Sequence, residues 1–147
     1  MGDILTFTTE DVRWLSNMSY VSIAYNGLVY PSTENFYQAM KYKSELTRKL
    51  ISTLKPHEAK RYSRNNIMTN DKFEDRKLEI MLYAQRKKYS QEPFKSKLLL
   101  TGDCLLEEGN WWGDKFWGVD IKTREGENHL GKIIMQVREE LKNGNSK

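Results

Sequence analysis

The alternation of hydrophobic and polar residues near the N-terminus predicts two short strands followed by a helix. Segments 19–25 and 28–30 are the strand candidates, and Asn26-Gly27 separates them. Asn-Gly between two short apolar runs favours a two-residue hairpin turn, because both residues tolerate a positive φ. A helix is expected to begin near Thr33, after Pro31. Residues 4–8 form a further extended candidate.

The rest of the chain has mainly helical periodicity. Residues 73–88 show it best, since Leu78, Met81, Leu82 and Gln85 recur at helical spacing. The other predicted helices span 45–54 (with Leu46, Leu50 and Leu54 four residues apart), 56–62, 92–99 and 128–141. Segment 104–107 is a strand candidate, and 109–126 is irregular. The pattern predicts a mainly helical α+β fold with a small N-terminal antiparallel sheet.

One domain is expected over residues 1–147, with its core at about 15–141 and a frayed tail at 143–147. Neither an internal repeat nor a Pro/Gly-rich linker divides the sequence. A chain of 147 residues is long enough to bury a single core without disulfides.

Composition narrows the function classes only a little. No apolar run approaches the roughly 20 residues of a membrane span, and the N-terminus lacks signal-peptide features, so a cytoplasmic protein is expected. Cys104 is the only cysteine, which fits a reducing compartment. With two histidines besides, the sequence offers no zinc-type cluster, and neither metal nor cofactor is expected. A net charge of +4 suits a phosphate-bearing substrate without being specific for one.

Three polar side chains between residues 30 and 41 are the first candidates for chemistry. Glu34, Gln38 and Lys41 fall at i, i+4 and i+7, which places a carboxylate, an amide and an amine on one helix face. The remaining residues of this helix are largely aromatic and apolar. In a simpler interpretation, Glu34 is a first-turn acid favoured by the helix dipole and Lys41 is a solvated lysine. The spacing leaves both interpretations open.

Three further segments are candidates for binding. Ser16 and Asn17 lie between hydrophobic residues, although a satisfied turn would explain them equally well. Residues 111–118 combine glycines, which permit close backbone approach, with tryptophans, which offer a stacking face. Gly126 and Asn128 precede the last helix, whose free N–H groups would form a phosphate seat. The simpler interpretation is that the tryptophans pack the core and that Asn128 is an N-cap.

In this order, the motifs resemble the signature of the NADAR (YbiA-like) domain family. The resemblance extends from about residue 15 to 141. The matching segments are 15–17 (Leu-Ser-Asn), 30–41 (Tyr-Pro-Ser-Thr-Glu-Asn-Phe-Tyr-Gln-Ala-Met-Lys), 87–89 (Lys-Lys-Tyr), 98–102 (Leu-Leu-Leu-Thr-Gly), 113–118 (Gly-Asp-Lys-Phe-Trp-Gly) and 128–135 (Asn-His-Leu-Gly-Lys-Ile-Ile-Met).

The resemblance implies a metal-independent N-glycosidase that acts on a ribosyl group joined to a base-like nitrogen. The resemblance implies two possible substrates: ADP-ribose attached to guanine in nucleic acid, and ribosylamino-pyrimidine phosphates of riboflavin synthesis. The positive charge and the absence of a fused biosynthetic domain favour the first by a small margin. A non-catalytic ADP-ribose-binding module and a nucleic-acid-binding protein are the alternatives from other classes.

The resemblance also implies roles for individual residues. Glu34 matches the family's essential carboxylate and Lys41 the lysine that follows it, while many members have tryptophan where this chain has Phe73. The expected catalytic residues are Glu34, Lys41 and Asp114. The expected substrate contacts are Ser16, Asn17, Gln38, Phe73, Trp117, Gly118, Asn128 and Gly131. Glu34 is favoured as acid/base, and a Schiff base at Lys41 stays open.

Overall fold

The computed structural model describes residues 4–6 and 10–144, and the chain divides into two compact units. The first, called here the helical unit, is Asn17–Lys88. The second, called the terminal unit, joins the residues up to Ser16 to those from Tyr89 onward. A single domain over residues 1–147 stays a prediction.

The elements confirm the expected mainly helical α+β class with a small antiparallel sheet. In chain order they are β1 (Ile4–Thr6), a 3₁₀ helix (Glu10–Leu15), β2 (Tyr20–Tyr25), β3 (Leu28–Ser32), α1 (Thr33–Ala39), α2 (Glu45–Ser52), α3 (Pro56–Asn65), α4 (Phe73–Lys88), α5 (Phe94–Leu100), β4 (Leu105–Glu107), β5 (Gly109–Asn110), β6 (Val119–Asp120) and α6 (His129–Lys142). Of the extended segment expected at 4–8, the part beyond Thr6 lies outside the described residues, as do residues 145–147 of the expected tail.

The helical unit begins with the expected hairpin. β2 pairs antiparallel with β3, and Asn26 and Gly27 between them have φ values of 49° and 82°. Positive φ at both positions is the geometry of a type I′ turn, which matches the twist of the two strands. The hairpin therefore leads the chain directly into α1.

Helix α1 lies at the centre of the helical unit and packs against α2, α3 and α4. Every residue from Thr33 to Ala39 is buried. Ser32 caps the helix, because its Oγ accepts a hydrogen bond of 3.0 Å from the Asn35 N–H. The helix ends earlier than expected, with Met40 as its C-cap, so Lys41 lies in the following turn and not on the helix face with Glu34.

The buried faces of α2 and α4 differ in part from the expected ones. Leu46 and Leu50 are 81% and 46% exposed, whereas Ile51 is fully buried and anchors α2. In α4 the bounds agree with the prediction, but Leu78 is 42% exposed. Spacing by four residues identified the helices without distinguishing their inner from their outer face.

The terminal unit contains two parallel strand pairs that the sequence did not predict. β1 pairs with β4, and β5 pairs with β6. Helix α6 packs against β4 through an apolar stripe of the expected kind, with Leu130, Ile133, Ile134 and Val137 buried. Within the described ranges, no helix is both long and apolar enough to cross a membrane.

Candidate active site

Glu34 is a buried carboxylate at the start of α1. The residue is only 8% exposed, and its Oε2 accepts a hydrogen bond of 2.5 Å from Gln38 Nε2, one turn further along. The Glu34 N–H, one of the unpaired donors of a helix N-terminus, donates to the Asn17 carbonyl at 3.1 Å. The helix dipole favours a negative charge on Glu34, as the simpler interpretation expected. Unlike most first-turn acids, however, Glu34 is buried within the protein.

The side chain of Asn17 holds α1 and α4 together. Its Oδ1 accepts hydrogen bonds of 2.7 Å from both Thr33 Oγ1 and Gln85 Nε2, and its Nδ2 lies 3.6 Å from Met81 Sδ. The Asn17 amide, an expected substrate contact, is thus engaged in positioning the helix that carries Glu34. A substrate contact by Asn17 stays a prediction.

Two glutamine oxygens are buried next to this network. Within the described chain, Gln38 Oε1 and Gln85 Oε1 have no hydrogen-bond partner. A buried acceptor without a donor costs free energy, so such a group calls for an explanation. The Gln38 Nε2 donates to Glu34, and its Oε1 could accept a hydrogen bond from a ligand hydroxyl or from a water molecule.

Lys41 lies against two aromatic rings. Its Nζ is 5.6 Å from the ring centroid of Tyr37 and 5.6 Å from that of Phe73, which is within cation–π distance. Phe73 is only 1% exposed and packs edge-on against Tyr37, with 5.1 Å between the ring centroids. The Phe73 ring, an expected substrate contact, is therefore covered by the protein's own side chains.

Burial lowers the pKa of Lys41 below its ordinary value. The main cause is desolvation of the ammonium, to which the positive charges of Lys77 and Lys60 add, while Glu34 and Glu74 act in the opposite direction. Lys41 is half-buried, so the interpretation of a freely solvated lysine is wrong. A lowered pKa is also the condition under which a lysine could act as a nucleophile.

Asp114, in the terminal unit, holds a turn. Its Oδ1 accepts hydrogen bonds from the N–H groups of Phe116 at 3.1 Å and Trp117 at 2.9 Å. Its own N–H and C=O exchange hydrogen bonds with the Asn110 side chain. This arrangement gives the carboxylate a structural task, and a catalytic part for it stays a prediction.

The aromatic residues near Asp114 differ in exposure. Trp117 is half-buried and lies edge-on to Phe116, with 4.9 Å between the ring centroids. Trp111 and Trp112 are 70% and 55% exposed, so the interpretation that the tryptophans pack the core is wrong for this pair. Next to Trp117, a Cβ at Gly118 would overlap the carbonyl oxygen of Glu108, and close backbone approach alone explains that glycine.

The N-terminus of α6 is hydrogen-bonded to the loop that precedes it. The N–H groups of residues 127–130 donate to the carbonyl oxygens of residues 115–118 over 2.7–3.2 Å. These are the donors that would otherwise be open to an anion. The free N–H expected at Asn128 is thus used by the chain itself, and a phosphate seat there stays a prediction.

Asn128 and Gly131 attach α6 to β4. Asn128 has the N-cap position, but its φ is 52° and its side chain makes no capping bond. Instead, its Nδ2 donates to the Leu106 carbonyl at 2.9 Å and its Oδ1 accepts from the Glu108 N–H at 3.1 Å. A Cβ at Gly131 would overlap the Leu106 carbonyl oxygen, so the glycine permits this close packing. Substrate contacts by the two residues stay predictions.

The sequence-based candidates thus fall into two sets. The helical unit contains Asn17, Glu34, Gln38, Lys41 and Phe73, and the terminal unit contains Ser16, Asp114, Trp117, Gly118, Asn128 and Gly131. Ser16 follows the 3₁₀ helix, and its N–H donates to the Arg13 carbonyl, as in the turn interpretation. No group of three or more metal-ligating side chains occurs in residues 4–6 and 10–144.

Sequence reasoning missed three residues that shape the surroundings of Glu34. Tyr37 faces Lys41, and Thr33 and Gln85 bind the Asn17 side chain. Gln85 was visible as a polar residue recurring at the apolar positions of α4, which was a usable signal. Nothing in the spacing distinguished Tyr37 from its aromatic neighbours.

The fold and this set of side chains define a small α+β protein with a buried carboxylate held at a helix start. Residues 6–142 match the family model of the NADAR domain. The chain therefore belongs to the NADAR family, and the resemblance seen in its motifs is confirmed.

Similar proteins add to this assignment. The chain is 36% identical to a riboflavin biosynthesis protein of Vibrio vulnificus over 135 residues, which cover 90% of this chain and 36% of that protein. It is 32% identical to the N-glycosidase YbiA of Shigella boydii, covering 91% of this chain and 84% of that one. The NMR structure of Escherichia coli YbiA superposes with a TM-score of 0.85 at 29% identity, over 98% of this chain and 88% of that one. These names support the expectation of an N-glycosyl hydrolase.

Proposed function

We propose that this protein is an N-glycosidase in which Glu34 is the essential carboxylate. The observation that carries the proposal is the burial of that carboxylate, 8% exposed and fixed by Gln38 at 2.5 Å. Breaking an N-glycosidic bond builds positive charge at the anomeric carbon of the sugar. A fixed carboxylate stabilises this charge or activates the attacking water.

The reaction follows from ordinary glycoside chemistry. The bond between the anomeric carbon and the nitrogen breaks, and its electron pair stays on the nitrogen, which takes up a proton. The oxygen of water then bonds to the anomeric carbon and passes its proton to Glu34. The unpartnered Oε1 of Gln38 would accept a hydrogen bond from a sugar hydroxyl or from the water.

Lys41 has two compatible tasks in this scheme. Its lowered pKa eases transfer of a proton to the departing nitrogen, and its charged form attracts phosphate. Lys60 and Lys77 are close enough to affect its pKa and would attract an anionic substrate, while Glu34 and Glu74 offset part of their charge. The alternative is attack of the neutral Lys41 amine on the anomeric carbon. The bond from this carbon to the base nitrogen breaks, the base leaves with a proton, and the ring opens to an imine, which water then hydrolyses to release the sugar and the lysine.

For the substrate, we propose ADP-ribose attached to guanine in nucleic acid. The net charge of +4 and the lysines near Lys41 support an anionic, phosphate-bearing ligand. The second candidate is a ribosylamino-pyrimidine phosphate, which the name of the Vibrio vulnificus relative favours. A non-catalytic ADP-ribose-binding module is less well supported, since a buried carboxylate repels a diphosphate without helping to bind it.

The proposal is tested by a release assay on both substrates with wild-type protein and Glu34→Gln. A loss of about 100-fold or more is expected in the variant, because the amide cannot accept a proton from water. Glu45→Gln is the matched control, since Glu45 is also a first-turn acid but is exposed on α2. Full turnover by Glu34→Gln would refute the assignment.

The two substrates give distinguishable outcomes. Release of ADP-ribose from DNA would establish the first, and cleavage of the small phosphate alone would establish the second. Binding of ADP-ribose without release from either would establish the binding module.

Asp114→Asn separates the two possible tasks of Asp114. Asparagine retains the Oδ1 acceptor for the N–H groups of Phe116 and Trp117 but carries no charge. A catalytic carboxylate would lose activity in this variant, whereas a purely structural one would not.

A further inference from the structure

The helical unit contains a cavity of about 230 Å³ that the chemistry of Glu34 does not use. It is lined from α1 by Phe36 and Met40. At about 100° per residue, Phe36 is turned about 200° away from Glu34 around the helix axis. The cavity therefore lies on the side of α1 opposite to the carboxylate.

One wall of the cavity is aromatic. Tyr25, Phe36 and Tyr83 all line it, and their ring centroids are 5.4–5.6 Å apart in pairs. Phe36 is 2% exposed, and the Tyr83 hydroxyl donates to the Ala24 carbonyl at 3.1 Å, so this wall is fixed in place. A rigid cluster of rings offers a surface on which a flat, apolar ligand face can pack.

The rim of the cavity is positively charged. It contains Arg48, Lys72 and Arg76, against a single carboxylate, Glu79. Arg76 Nε binds Glu79 Oε1 at 3.1 Å, which leaves the other two cations without a carboxylate partner in the described chain.

Both remaining cations have donors to spare. Arg48 uses its Nε to bind the Tyr42 carbonyl at 2.8 Å, and this fixes the guanidinium while its terminal NH₂ groups make no hydrogen bond within residues 4–6 and 10–144. The Lys72 ammonium likewise has no hydrogen bond or ion pair there. A held guanidinium beside an unpaired ammonium is a donor set suited to phosphate.

We propose that this cavity is a second binding site, for a nucleotide. The base packs against the aromatic wall, and the phosphate binds Arg48 and Lys72. A volume of about 230 Å³ lies below the roughly 300 Å³ at which pockets for drug-sized ligands begin, so the cavity suits at most one nucleotide unit. The nucleotide is either free or one unit of a single strand, and the site is independent of the reaction proposed for Glu34.

The test is binding of deoxyguanosine monophosphate and of a four-nucleotide single-stranded DNA, followed by calorimetry and by amide NMR shifts. Lys72→Glu replaces attraction by repulsion and is expected to weaken binding about tenfold. Ile80→Trp fills the cavity without a change of charge and is expected to abolish binding, because Ile80 is a lining residue.

Matched controls keep the test specific. Lys49→Glu makes the same charge change on an exposed residue of α2 outside the cavity, and Leu78→Trp makes the same bulk change on the exposed side of α4. Neither is expected to affect binding. Circular dichroism and thermal unfolding establish that each variant is folded.

Each outcome decides the matter. The site is supported if Lys72→Glu and Ile80→Trp weaken ligand binding and the two control variants do not. The ligand that binds more tightly then shows whether the site takes a free nucleotide or one unit of a single strand. Binding that is equal in wild type and both variants overturns the proposal. So does inorganic phosphate binding as tightly as the nucleotide, because the aromatic wall would then contribute nothing.

Discussion

Replacing Asn35 by alanine is expected to destabilise the protein by about 3 kcal/mol. The Asn35 side chain is fully buried and makes three hydrogen bonds. Its Oδ1 accepts from Ser32 Oγ at 2.6 Å, and its Nδ2 donates to the carbonyls of Ile51 and Leu54, each at 2.9 Å. Each bond contributes about 1 kcal/mol, and alanine would remove the donor of the Leu54 carbonyl, while the Ile51 carbonyl keeps the Leu54 N–H.

The measurement is urea-induced unfolding followed by circular dichroism, with the free energy of unfolding compared at constant slope. For a chain of this size, a loss of about 3 kcal/mol corresponds to a fall in melting temperature of about 10 °C. Asn65→Ala is the control, because Asn65 is exposed at the end of α3, and a change within about 0.5 kcal/mol is expected there. A loss below about 1 kcal/mol in Asn35→Ala would refute the reasoning.

Three further predictions concern the surroundings of Glu34. Asn17→Ala is expected to lower kcat with little change in KM, since Asn17 positions the helix; a rise in KM alone would instead reveal a ribose contact. Borohydride added during turnover is expected to trap no adduct, and an adduct that is lost in Lys41→Arg would establish the imine route. Burial lowers the pKa of Lys88 to about 7, so the unfolded chain binds more protons between about pH 7 and 10.5. Stability relative to Lys88→Met should therefore rise from pH 7 to 9 in urea unfolding, and a difference that stays level over this range would contradict the reasoning.

Local signals in the sequence predicted much of the helical unit. Asn26-Gly27 determined the hairpin, and the apolar spacing of residues 73–88 determined α4, because in both cases the deciding interactions lie within a few residues. Lys41 was placed on the helix because spacing alone does not show that α1 ends at Ala39. The prediction that Glu34 and Gln38 lie on one face of the helix is nevertheless confirmed.

The terminal unit was harder to predict, because its strand pairs form between segments that are far apart in the sequence. β1 and β4 lie far apart in the sequence, and the sequence of neither strand indicates its partner. The tasks of Asp114 and Asn128 depend on backbone groups, namely those of Phe116, Trp117, Leu106 and Glu108, whose positions no side-chain pattern reveals. The sequence therefore indicated that Asp114 and Asn128 were candidates, but it did not identify the backbone groups to which they bind.

The attachment of residues 115–118 to the start of α6 has a consequence for how this protein can change over time. The bonds run between main-chain groups, from the N–H of residues 127–130 to the carbonyls of 115–118, and every amino acid except proline at the donor positions can supply them. The side chains of Lys115, Phe116 and Trp117 can therefore be exchanged while the loop keeps its path. Relatives can diverge in the rings and charges that this loop displays without having to evolve a new scaffold.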